Sequence, residues 1–161
     1  MILTLVILAL VTLSRVVELP IAARNTARLK AADGYEVGAG HYPWIVALHV
    51  AWLAALWLLA PGRPYSLTLL ALFGLVELGR VWVIRTLGQR WTTRIIVVPD
   101  ETLVARGPYK YFQHPNYMIV VAEIALLPLA FGLWQVALIF SLLNAAILIV
   151  RIREENGALG L

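Results

Sequence analysis

"PNYMIVVAEIALLPLAFGLWQVALIFSLLNAAILIV", residues 115–150, decides the fold. It holds two apolar runs separated by only Ala-Phe-Gly-Leu-Trp. A bilayer-spanning helix takes about 20 apolar residues. The second run, from about Leu133 to Ile152, meets that length; the first, from near Pro115 to about Ala130, is short. So brief a connection leaves no room for a true loop, so the two runs are expected to form a tight antiparallel helical hairpin.

Three further apolar runs lie upstream: Ile2 to about Leu19, "HYPWIVALHVAWLAALWLLA" (residues 41–60) closing at "PGRP", and about Tyr65 to Ile84. The expected fold is therefore all-α and integral to a membrane, with about five transmembrane helices in a single domain over residues 1–161. Three helices fall in residues 1–87 and the functional half in 88–161. The composition agrees, since 61% of residues are hydrophobic where soluble domains stay near half. The N-terminus has neither a basic lead nor a small-residue cleavage site, so it reads as a retained helix.

The basic residues are unevenly placed. Arg24, Arg28 and Lys30 follow the first run; Arg85, Arg90, Arg94, Arg106 and Lys110 lie between the third and fourth; Arg151 and Arg153 close the fifth. Only Arg63 falls on the other side. The positive-inside rule then puts the N-terminus outside and the C-terminus in the cytoplasm, which an odd number of spans satisfies. The net charge of +4 reads as basic loops facing lipid, not as a nucleic-acid surface. There is no cysteine, which excludes disulfides and thiolate metal sites. The three histidines lack His-x-x-x-His spacing, so no metal is expected.

Residues 88–114 form the longest non-helical stretch. Within it "TRIIVVPDETLVARGPY" has a β-branched run, a Pro-Asp turn signal and a second short apolar run. This predicts a small hairpin or extended lobe on the cytoplasmic face.

Polar residues are scarce, so those that remain narrow the search for chemistry. In "GPYKYFQHPNY", residues 107–117, Pro115 suits the first turn of a helix. The N–H groups from Asn116 to Met118 are then expected to be free for an anion. Tyr109 and Tyr111 offer stacking surfaces, and His114 and Tyr117 offer polar contacts. An aromatic interfacial belt accounts for the same residues equally well. In "NAAILIVRIREEN" the residues Asn144, Leu148, Arg151 and Glu155 share one helical face. They suit a functional site or a plain i, i+4 ion pair. Inside the spans, Arg15/Glu18 and Glu77/Arg80 have i, i+3 spacing, which suggests mutual neutralisation. His49 and Glu123 have no partner nearby in sequence and are candidates for a polar pocket or a structural hydrogen bond.

"TLVARGPYKYFQHPNY", followed by the hairpin and then Arg151-Ile-Arg-Glu-Glu155-Asn156, resembles the signature of the isoprenylcysteine carboxyl methyltransferase family. The family pattern is roughly T-L-V-x-x-G-x-Y-x-x-x-R-H-P-x-Y, then R-x-x-x-E-E. The likeness covers about Gln89 to Leu159 in order and spacing. "ELPIAARNTARLKAADGYEVGAGHYPWIVALH" (residues 18–49) is similar to a bacterial branch whose members resemble O-methyltransferases of lipophilic polyketides such as alkylpyrones. The chain departs from the pattern at Gln113, where the family has Arg, and at Asn156, where it often has a second Glu.

The resemblance implies an S-adenosylmethionine-dependent O-methyltransferase of the bacterial inner membrane. S-adenosylhomocysteine would be its product, its acceptor a lipophilic small molecule or lipidated substrate, and its surroundings membrane lipids. Glu101, Thr102, Leu103 and Val104 would wrap the cofactor. Tyr109, His114, Pro115, Asn116 and Tyr117 would continue the pocket, Glu155 would close it, and Arg94 would add a contact. Arg151 would face the acceptor. A carboxylate acceptor needs no general base; an enol or phenol does, and Glu155, His49 and Glu123 are candidates. Phospholipid N-methyltransferases and NADPH-dependent membrane reductases resemble parts of this pattern, and a non-enzymatic membrane scaffold is the remaining alternative.

Overall fold

A computed structural model describes residues 1–160. Five α-helices carry the fold: α1 (Ile2–Ala31), α2 (Tyr42–Leu59), α3 (Leu67–Leu87), α4 (Pro115–Ala130) and α5 (Trp134–Leu159). Four of them, all but α4, are long and apolar enough to cross a bilayer. This is the expected all-α membrane fold.

The hairpin at residues 115–150 forms as read. Gly132 takes a left-handed conformation (φ 68°) between α4 and α5. Its N–H donates to Leu129 O at 3.0 Å, and Leu133 N donates to Pro128 O at 2.9 Å. Ser66 then locks α3 onto the hairpin. Its hydroxyl caps α3 by accepting from Leu69 N, and its own N–H donates to Ala130 O at 2.8 Å. Trp52, Leu56, Phe73, Ile124, Leu127 and Phe131 fill the apolar core between the helices.

Two helices run further than the hydropathy suggests. α1 continues through Pro20 to Ala31. Proline removes one backbone donor, but the residues beyond it, "IAARNTARLKA", are mostly strong helix formers. This extension buries Ala22 and Asn25. α5 runs about two turns past Ile152, to Leu159. Arg151 and Glu155 therefore project from a rigid helix.

Of the two expected forms of the lobe, hairpin or extended, the local hairpin does not form. β2 (Ile95–Val97) pairs antiparallel with β1 (Tyr35–Val37), in the register Tyr35↔Val97, Glu36↔Ile96, Val37↔Ile95. The α1 extension delivers β1 to that edge. Beyond the Pro99-Asp100 turn the chain forms an extended strap with no ladder, residues 101–105.

The charges inside the spans also pair differently from the i, i+3 reading. Arg15 does reach Glu18 at 3.3 Å, but it lies closer to Glu77, at 2.7 Å. Arg80 binds Glu18 at 2.5 Å, and no Glu77–Arg80 bridge forms among the described residues. Glu123 receives both Arg15 and Arg80, each at 3.2 Å. A buried carboxylate needs a close cation, and bridges between helices supply two. The cluster therefore clamps α1, α3 and α4 together.

Candidate functional site

A cleft of about 380 Å³ opens where β2, the strap, the start of α4 and the end of α5 meet. That is within the range of small-molecule sites, roughly 300–1,000 Å³.

The local sequence explains how each wall is held. Pro115 opens α4 at its first position, which lets the chain turn sharply from the loop into the membrane helix. His114, just before it, accepts two backbone N–H groups through its carbonyl, from Tyr117 (3.1 Å) and Met118 (3.3 Å). The expected row of free donors from Asn116 to Met118 is therefore corrected. The N-cap carbonyl consumes those of Tyr117 and Met118, as first-turn geometry dictates. At the cleft, the side-chain atoms left without a partner among the described residues are the buried Asn116 Oδ1 and the indole Nε1 of Trp91. Both residues line the cleft.

α5 presents the expected face. Asn144, Leu148 and Arg151 are buried in sequence along it. Arg151 and Glu155 do not bridge each other directly. Tyr117 stands between them: Arg151 Nε donates to the Tyr117 hydroxyl at 2.8 Å, and that hydroxyl donates to Glu155 Oε2 at 2.5 Å. Arg151 Nη2 donates to the backbone carbonyl of Thr93 at 2.9 Å. Arg151 is only 6% exposed, and among the described residues no carboxylate bridges it. His114 stacks on Tyr117, with ring centroids 5.3 Å apart. Its Nε2 bonds Asn156 Oδ1 at 2.9 Å, and its Nδ1 lies 3.4 Å from Glu155. Burial, helped by the negative charge of Glu155, pushes the Tyr109 phenol well above its ordinary range, so it remains a proton donor.

The floor is braced from the N-terminal half. Asn25 Nδ2 donates to Trp91 O at 2.7 Å and to Gly88 O at 3.1 Å. Arg94 pairs with Glu36 on β1 and lies 4.0 Å over the Tyr42 ring. Tyr42 in turn bonds the Thr93 hydroxyl at 3.0 Å.

Most of the expected site residues thus meet in one place. Arg94, Glu101, Thr102, Leu103, Val104, Tyr109, His114, Asn116, Tyr117, Arg151 and Glu155 all line the cleft. Pro115 is buried behind the wall and shapes it without lining it. Glu123 and His49 are not in that wall. Glu123 belongs to the ion-pair cluster, and His49 spends Nδ1–H on Ile45 O at 2.8 Å. Arg90 and Trp91 are additions to the expected set. Trp91, 2% exposed, is the one aromatic between Gly88 and Val98, a signal the sequence carried. Thr93 acts through its backbone carbonyl, which no sequence pattern marks.

The model of the isoprenylcysteine carboxyl methyltransferase (ICMT) family matches residues 68–160. A protein of Bacillus subtilis (strain 168), described as uncharacterized protein YpbQ, is 37% identical over 158 residues, 95% of this chain and 94% of the relative. An uncharacterized protein of Haemophilus influenzae is 27% identical over 151 residues, 90% of this chain and 88% of the relative. No solved structure matches.

Proposed function

Because the chain belongs to the isoprenylcysteine carboxyl methyltransferase family, we propose that it is a multi-pass membrane O-methyltransferase that takes its methyl group from S-adenosylmethionine and passes it to a lipophilic acceptor. The observation that carries this reading is the meeting of the strap, the His114–Tyr117 turn and the Arg151–Glu155 face around one cleft.

The residues present fit the cofactor. The cleft has the right order of volume, and two buried polar atoms on its walls, Asn116 Oδ1 and Trp91 Nε1, lack protein partners. Bound there, S-adenosylmethionine supplies an electrophilic methyl group on a sulfonium. Glu101 to Val104 would hold it from the strap side, and Tyr109, His114, Asn116 and Tyr117 from the turn. Glu155 would take a hydroxyl or amino group.

Displacement at a methyl carbon needs alignment more than covalent help. Arg151 supplies alignment. Its Nε and Nη2 are anchored on Tyr117 and Thr93, so its orientation is fixed before an acceptor arrives. A guanidinium without an acid partner suits an acceptor carboxylate, such as that of an isoprenylcysteine-like molecule. For a lipid polyketide hydroxyl a base is required. Of the two acids on the wall, Glu101 is bound to Arg90 at 2.5 Å, which leaves Glu155 for that task.

The positive-inside asymmetry supports a cytoplasmic cleft, where a soluble cofactor is available. The reading is tested by titrating purified protein with S-adenosylhomocysteine, where absence of affinity removes it. Labelled methyl donor with a total lipid extract then identifies the acceptor.

A further inference from the structure

A second cleft, of about 670 Å³, adjoins the first and shares the strap and Arg90 with it, while Arg28 and Arg106 line the second alone. Its walls are the end of α1, the turn after α3 and residues 101–106. Three arginines face it, Arg28, Arg90 and Arg106, against one acid, Glu101. Glu101 is consumed by Arg90. Among the described residues Arg106 donates only to the Thr86 carbonyl, at 3.3 Å. Arg28 is exposed and makes no hydrogen bond or ion pair among the described residues. Two guanidinium charges are thus left over in a concave wall.

Basic side chains at helix C-termini often only complement the helix dipole. That explains Arg28 at the end of α1 but not Arg106, which the strap carries into the same cleft. Asp33 and Asp100 occupy the neighbouring turns and are outside the wall. We propose that this cleft binds a phosphate group, presented by an anionic phospholipid headgroup. Guanidinium forks match phosphate oxygens in shape and charge. The membrane is the favoured source because the cleft sits at the C-terminal ends of α1 and α3, two helices long and apolar enough to cross a bilayer. The proposal goes beyond the methyl-transfer reading and does not rest on it.

The test uses the whole chain in detergent micelles doped with either phosphatidylglycerol or phosphatidylcholine, with retained lipid counted by native mass spectrometry. Phosphatidylglycerol is expected to be retained in preference. Arg28→Gln should lower its retention roughly five-fold, the worth of one basic residue near an anionic surface. Arg28→Gln combined with Arg106→Gln should lower it further, and Arg63→Gln, on the opposite side, should leave it unchanged. Equal retention of both lipids, or full retention in Arg28→Gln, overturns the site. Displacement of the lipid by an equal concentration of free glycerol phosphate overturns the membrane source. Arg28→Gln alone keeps the test decisive if the double variant fails to fold, because Arg28 has no partner to lose among the described residues.

Discussion

The Tyr117 hydroxyl joins Arg151 to Glu155, accepting from one at 2.8 Å and donating to the other at 2.5 Å. A residue on α4 thus sets the geometry of two charged groups on α5. Tyr117→Phe keeps the ring but removes both bonds. Hydrogen bonds to charged groups are worth about 1.5–3 kcal/mol, so turnover is expected to fall roughly ten- to a hundred-fold. The thermal midpoint should fall by several degrees as well, so turnover is compared per folded molecule. A kinetic comparison with the parent protein checks this; full activity would reduce the hydroxyl to a bystander.

Arg151→Ala is expected to abolish turnover while S-adenosylhomocysteine affinity changes little. Arg151→Lys should not rescue it, because an ammonium cannot meet Tyr117 and Thr93 with a planar fork. Calorimetric titration beside a methyl-transfer assay separates the two effects. Equal loss of both would move Arg151 from the acceptor to the cofactor.

His114→Ala should weaken cofactor affinity, because it removes the stacking partner of Tyr117 and the link to Asn156. Asn156→Leu should have a smaller effect in the same direction, since it takes away only the anchor of the His114 ring. Unchanged affinity in both would make the turn an interfacial aromatic belt.

Glu123→Leu leaves Arg80 and Arg15 with one carboxylate fewer in a buried cluster. Removing one member of such a network costs about 3–5 kcal/mol. Thermal unfolding in detergent should show a large drop, with cofactor affinity per folded molecule retained. A stable protein with altered acceptor selectivity would instead return Glu123 to the acceptor site.

Burial alone would raise the Glu36 carboxyl, but hydrogen bonds and charge from Lys30 and Arg94 outweigh it and hold the carboxyl below its usual value. Because the folded value is depressed, its stabilising contribution is full above the unfolded carboxylate value and fades as pH falls through the folded one. Hydrogen exchange at β1 and β2 should therefore accelerate in mild acid. Glu36→Gln should show fast exchange at all pH values and little acid dependence.

Much of this was legible in the sequence because hydropathy and proline chemistry are local. The hairpin at Gly132, the start of α4 at Pro115 and the shared face of Asn144, Leu148 and Arg151 follow from spacing alone. What was hidden depends on distant partners. β2 reads as half of a local hairpin, since nothing in "IIVV" announces an edge partner at Tyr35–Val37. Glu123 looks unpaired because its two arginines come from α1 and α3. Arg94 looks free for a cofactor, yet its guanidinium is held by Glu36. The strap residues Glu101 to Val104 were legible through family likeness, not through any periodicity of their own.

The Asn25 amide has a consequence for the order of biosynthesis. Asn25 emerges from the ribosome long before Gly88 and Trp91, the residues whose carbonyls it holds. Arg151, which needs Thr93, comes later still. Translation therefore releases the brace first and the groups it supports afterwards. The edge of β1 and the amide of Asn25 find their partners once residues 88–97 are made, but the cleft closes only when the last helix arrives with Arg151 and Glu155.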